Sequence, residues 1–220
     1  MEHDFWRERW QTNQIGFHEK DGNKLLARHF DVIALPEGSR YFLPLCGKTG
    51  DIARLLGKGY RVAGAELMET AIQQLFEELG VAPEITDAGA LKRYSAPSID
   101  IFVGDVFQLT AEVLGPVDAV YDRAALVAFP DTMRAKYTAH LAAITDHARQ
   151  MLITFEYDQN TMDGPPFNVD EAEIRTHYAA DYEIGLIRRI DIPKGLKGQV
   201  KANEVVWLLK PRSIQKISSP

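Results

Sequence analysis

Residues 40–51 read Arg40-Tyr41-Phe42-Leu43-Pro44-Leu45-Cys46-Gly47-Lys48-Thr49-Gly50-Asp51, and they change character halfway. From Tyr41 the first half is an apolar run, introduced by the turn residues Pro36-Glu37-Gly38-Ser39, and it suits a strand buried on both faces. The second half carries two glycines before Ile52, Leu55 and Leu56, whose spacing marks one face of a helix. A strand that passes through a glycine-bearing turn into a helix lets the backbone approach a ligand at the helix start.

Outward from this unit the same alternation repeats. β-type runs are expected at 61–66, 99–103, 119–121 and 151–157, with two more, 182–192 and 204–209, closing the chain. Helical stripes fill the gaps: Leu26, His29, Phe30 and Ile33; Ile72, Leu75, Phe76 and Leu79; Met133, Tyr137, Leu141 and Ile144. Asp170 and Glu173 form a capping box that opens a further short helix. Strand and helix in alternation predict an α/β fold, a mostly parallel sheet with helices on both faces. The last two runs are close enough to pair antiparallel. Ligands of such sheets bind outside the carboxyl ends of the strands, so the chemistry is sought after Leu45, Glu66, Val103, Tyr121 and Tyr157.

Glu66 closes the second run about 20 residues after the turn, the interval at which an acid can accept from two ribose hydroxyls. The plain alternative is a tight strand–helix turn with a surface glutamate. Asp105, after the third run, can accept from an adenine amino group with Val106 beneath the ring, or can simply cap a turn. Arg123 follows the fourth run and can hold a carboxylate or anionic acceptor, unless Asp122 and its neighbours are purely structural. The chain has no G-x-G-x-x-G, no Tyr-x-x-x-Lys and no G-x-x-x-x-G-K-[ST]. Dinucleotide, short-chain dehydrogenase and P-loop readings therefore lose ground. S-adenosylmethionine carries no phosphate and tolerates a looser turn.

Composition narrows the classes further. The chain has 220 residues, 31 acids against 25 bases and a net charge of −6, which speaks against nucleic-acid binding. One cysteine, Cys46, leaves no internal disulfide and no multi-thiolate zinc site, and the six histidines show no metal-ligand spacing. No apolar run approaches the ~20 residues of a membrane span, and the stretch from Met1 to Trp6 lacks the basic-then-apolar order of a signal peptide. A cytoplasmic protein without membrane association is expected.

Several motifs together resemble the thiopurine S-methyltransferase family. They are Pro-Leu-Cys-Gly-Lys at 44–48, Val-Ala-Gly-Ala-Glu at 62–66, Gly-Asp-Val-Phe at 104–107, Tyr-Asp-Arg-Ala-Ala-Leu-Val-Ala at 121–128 and Asp-Gly-Pro-Pro-Phe at 163–167. Trp6-Arg7-Glu8-Arg9-Trp10 followed by Gly16-Phe17-His18 matches as well, while Met68 stands where the family often has serine. The resemblance implies a single class I methyltransferase domain over 1–210, with a Rossmann-like seven-stranded sheet whose last strand is antiparallel. It implies a helical lid over 1–35, and separately the tail over 211–220 is expected to be loose, because Ser213, Ser218, Ser219 and Pro220 offer little to pack. It implies S-adenosylmethionine as cofactor, contacted by Trp10, Leu45, Glu66 and Arg123, with Phe17, Asp105 and Val106 also lining the site. Arg123 would orient donor and acceptor.

The implied activity is methyl transfer to the sulfur of thiopurines or aromatic thiols, extending to selenium or tellurium species and tellurite resistance, and a monomer acting on a small-molecule acceptor is expected. Two alternatives remain: a small thiol or halide methyltransferase, and a non-catalytic module that binds the cofactor. Cys46 reads as a small residue of the donor turn rather than a nucleophile. The segment 163–167 reads as an acceptor-side loop. No side chain is expected to act as obligatory general base, and Asp122, Asp158, Asp163 and His18 are the residues that would contradict this.

Overall fold

Both halves of the 40–51 reading are present in the structure, a computed structural model that describes residues 3–12, 14–16, 18–33 and 35–212. Strand β1 (Arg40–Pro44) is buried at every position and leads through the turn into helix α3 (Gly50–Gly57), capped by the Thr49 side chain. Ahead of it stand α1 (His3–Gln11) and α2 (Lys24–His29), the latter continuing as a 3-10 turn over Phe30–Val32. After it come β2 (Arg61–Glu66), α4 (Glu69–Leu79), β3 (Glu84–Ala88), β4 (Leu91–Ala96), β5 (Ile99–Val103), α5 (Ala111–Leu114) and β6 (Ala119–Arg123). The remainder is α6 (Asp131–Ile144), β7 (Arg149–Tyr157), α7 (Glu171–Tyr178), β8 (Tyr182–Asp191) and β9 (Ala202–Pro211).

The strands form one sheet in the order β3-β4-β5-β2-β1-β6-β7-β9-β8. The central five, β5 through β7, are parallel, and β9 inserts antiparallel between β7 and β8. Nine strands replace the expected seven. The two additions are the hairpin β3–β4, which pairs antiparallel onto β5 at the sheet edge. In β3 four of five residues are exposed and none is buried. The strand has no core face, so it has no apolar alternation to read.

Successive side chains of β1 enter opposite layers, as strand geometry requires. Phe42 joins a core with Tyr137 and Leu141 of α6 and Ile174 and Tyr178 of α7. Tyr41 and Leu43 join another with Leu25 and Leu26 of α2, Ile52 and Leu55 of α3, and Ile72 and Leu75 of α4. Burial on both faces is why the central strands read as continuous apolar runs. Asp170 caps α7 by accepting from the Glu173 amide at 2.9 Å. Met68, at the corresponding position of α4, offers no side-chain cap. The expected tail begins late, because Pro211 still belongs to β9 and the Arg212 amide donates to the Asp181 carbonyl. The rest of that tail, 213–220, lies outside the described residues. Among the described residues no helix is long and apolar enough to cross a membrane.

Candidate active site

Register places the first functional carboxylate. Pro44 of β1 pairs with Ala65 of β2, so β2 runs one residue further and presents Glu66 beside the turn that follows β1. There its Oε2 accepts from the Gly47 amide at 2.8 Å and its Oε1 from the Met68 amide at 2.9 Å. Each carboxylate oxygen keeps a second lone pair. Burial holds the Glu66 carboxyl above its usual range despite these backbone donors. The Leu67 amide also stabilises the charged form, and the remaining acceptor capacity is open to a ligand hydroxyl.

The turn itself is tight. Leu45 has φ 49° and Gly47 φ 51°. A Cβ on Gly47 would sit 3.2 Å from Cζ2 of Trp10, so α1 lies directly on the turn. Cys46 beside it is buried, and desolvation and the Glu66 charge push its thiol well above the ordinary range. That removes it as a nucleophile.

A cavity of about 510 Å³ opens between this turn and the ends of β6, β7 and β9, a volume suited to a small-molecule ligand. Trp6 and Trp10 of α1, Leu45 and Glu66 from the ends of β1 and β2, and Arg123 and Ala124 from the end of β6 all border it. Trp10, Leu45, Glu66 and Arg123 are thus brought together. Asp105 and Val106 do not line the cavity: Asp105 accepts from the Phe107 amide at 3.0 Å as a turn cap, and Val106 is buried in the core. Phe17 lies outside the described residues. Of the 163–167 loop, Pro165 and Pro166 reach the cavity, and the Phe167 amide ties the loop to the Val127 carbonyl at 2.7 Å.

Arg123 is held rather than loose. Its Nη2 lies 2.6 Å from Oε1 of Glu19. Glu19 is positioned because the Gly50 amide donates to its carbonyl, and a Cβ on Gly50 would collide with the carbonyl oxygen of Lys20. Buried Asp51 fastens the same segment, accepting from the Asn23 amide at 2.7 Å and the Tyr121 hydroxyl at 3.2 Å. Glu204 of β9 also borders the cavity, and burial raises its carboxyl while the Arg123 charge opposes the shift. Glu19 and Glu204 went unnoticed in the sequence. Glu19 lies outside the quoted motifs and Glu204 opens rather than closes a β-type run, and only the fold brings them to Arg123.

The other acids and the histidine face elsewhere. Asp122 is fully buried, accepting from the Tyr137 hydroxyl at 2.7 Å and the Leu126 amide at 3.1 Å, and burial pushes it up to about 6. Asp158 caps a 3-10 turn over Gln159–Thr161, and Asp163 is exposed. His18 borders a smaller adjoining pocket, with its pKa lowered by burial and by Lys48.

Among the described residues, six non-glycine residues have positive φ, and three of them, Leu45, Ala124 and Lys197, border the cavity. Such conformations cost about 1–3 kcal/mol each and gather where a site needs them.

The sequence model of the family described as thiopurine S-methyltransferase matches residues 1–211. A thiopurine S-methyltransferase of Xanthobacter autotrophicus is 58% identical over 96% of this chain and 99% of its own length. One of Gluconobacter oxydans is 44% identical over 94% of both. Among solved structures, the 1,6-didemethyltoxoflavin-N1-methyltransferase of Burkholderia thailandensis, with S-adenosylhomocysteine bound, superposes with a TM-score of 0.64 at 15% identity. That likeness covers 94% of this chain and 87% of the other, and it is a likeness of fold.

Proposed function

The chain belongs to the thiopurine S-methyltransferase family of S-adenosylmethionine-dependent enzymes, and from that premise we propose that it methylates the sulfur of an aromatic or heteroaromatic thiol. The observation that carries this reading is the placement of Glu66, Trp10 and Arg123 around one cavity. The residues fit the cofactor: Glu66 is a buried carboxylate that keeps acceptor capacity for a ribose hydroxyl beyond its backbone donors, and the Leu45–Gly47 turn offers close backbone approach.

When bound, S-adenosylmethionine supplies a methyl group on a positively charged sulfur, which makes that carbon electrophilic. Glu66 anchors the nucleoside end. The Trp6 and Trp10 faces on α1, the first part of the proposed 1–35 lid, attract the positive sulfur and keep water out. Arg123, fixed by Glu19, favours the thiolate over the thiol at the acceptor end, because a neighbouring cation lowers a thiol's pKa. A thiolate attacks carbon without further help, so no side chain needs to remove a proton in the transfer itself. Alignment alone supplies up to roughly 7–11 kcal/mol of the barrier lowering.

The test is an acceptor screen read as S-adenosylhomocysteine formed, using 6-mercaptopurine, thiophenols, small alkyl thiols, selenide and tellurite. Turnover of the aromatic thiols supports the reading, and turnover of selenide or tellurite extends it to heavier chalcogens. Cofactor binding with no product from any acceptor would refute it and leave a binding module.

A further inference from the structure

The cavity lining carries two further cations, Arg9 of α1 and Lys197 of the loop between β8 and β9. The Arg9 guanidinium carbon lies 4.5 Å from the centre of the Phe5 ring, and its Nε is buried without a hydrogen-bond partner. Lys197 donates to the Pro165 carbonyl at 2.8 Å, which leaves two of its three ammonium protons for other acceptors. Among the described residues no carboxylate lies within ion-pair distance of either cation, whereas Arg123 has Glu19 and Lys48 has Glu78. Burial, and then the Arg9 charge, lowers the Lys197 ammonium. The two groups therefore repel across a partly desolvated wall, and Lys197 does so from a left-handed backbone, φ 53°, where glycine is the easier residue.

A buried donor without an acceptor and two unneutralised like charges are unfavourable by themselves and favourable with an anion between them. We propose that Arg9 and Lys197 bind an anionic substituent of the acceptor, so that the preferred substrates are aromatic thiols carrying a ring carboxylate. This rests on the thiol-methylation reading. A guanidinium offers a planar fork to the two oxygens of a carboxylate, and the ammonium adds a point charge. Held there, the ring directs its sulfur back toward Arg123. The pair also offsets the net charge of −6, which by itself disfavours an anionic substrate.

The test has a binding arm and a kinetic arm. Benzoate, which has no nucleophilic sulfur, is titrated calorimetrically into protein saturated with S-adenosylhomocysteine. Arg9→Gln and Lys197→Gln should each weaken benzoate roughly tenfold or more, the scale of one charge-assisted hydrogen bond. Arg9→Lys should recover part of the loss. Lys197→Gly removes the ammonium while relaxing the backbone, so weaker binding in a protein that melts no lower than wild type identifies lost charge rather than lost fold. In the kinetic arm, the ratio of kcat/KM for 4-mercaptobenzoate to that for thiophenol should exceed one in wild type and fall about tenfold in Arg9→Gln, mainly through KM. Benzoate affinity within twofold of wild type in the folded variants overturns the proposal, as does a wild-type preference for thiophenol. If wild type methylates no thiol, the functional reading fails while the benzoate titration still decides the anion site.

Discussion

Glu66 does two jobs, and its substitution separates this account from a purely structural one. Its carboxylate takes the Gly47 and Met68 amides and has capacity left for a ligand. Glu66→Ala should weaken S-adenosylmethionine binding roughly tenfold to a hundredfold and also lower the melting temperature, because two buried amides lose their acceptor. Calorimetry and thermal unfolding check both, and unchanged affinity in a folded variant would contradict the assignment. Asp122 is the opposite case, a buried acid outside the cavity. Burial pushes its carboxyl up from the ordinary 3.8 to about 6. Between those values the folded protein holds a proton that the unfolded chain has lost, so rising pH lowers stability. The penalty is absent below the lower value and complete above the upper one. Asp122→Asn removes the charge and keeps an acceptor for the Leu126 amide, so its melting temperature should gain on wild type as pH rises from 4 to 7. Parallel curves for the two proteins would show that Asp122 does not titrate there.

At the scale of elements, the packing of α1 on the donor turn is the contact most open to test. Gly47→Ala meets both a positive φ and the Trp10 ring, so α1 must shift. The variant should bind S-adenosylmethionine at least about tenfold more weakly, with a smaller fall in melting temperature, since α1 contributes little to the two main cores. Equal affinity would mean that Trp10 does not bear on the turn. Elements were legible in the sequence in proportion to burial. β1, fully buried, and α4, with Ile72, Leu75 and Phe76 on one face, announced themselves. The hairpin β3–β4 did not, because most of its residues face solvent and its pairing depends on a neighbour, β5, that sequence pattern does not choose.

For the whole molecule the same rule governs the site. Glu66 and Arg123 could be found because they end strands of a parallel sheet, where topology alone points to a ligand. Asp105 and Val106 follow the parallel strand β5, yet they stop short of the cavity, because one caps a turn and the other packs inward. Glu19 comes from the segment ahead of α2, Glu204 from an antiparallel strand and Lys197 from the β8–β9 loop, with nothing local to mark them, and Arg9 sits in the Trp6–Trp10 motif without a role legible from it. They meet only because α1 and the β8–β9 loop fold over the same strand ends. The central claim is that this shared cavity delivers a methyl group to sulfur. Its most direct test uses S-adenosylmethionine labelled with carbon-13 in the methyl group and 6-mercaptopurine, which offers both sulfur and ring nitrogens as nucleophiles. The expected result is one labelled S-methyl thioether for each S-adenosylhomocysteine formed, identified by its carbon-13 chemical shift. Label on a ring nitrogen, or S-adenosylhomocysteine without labelled thioether, would contradict it.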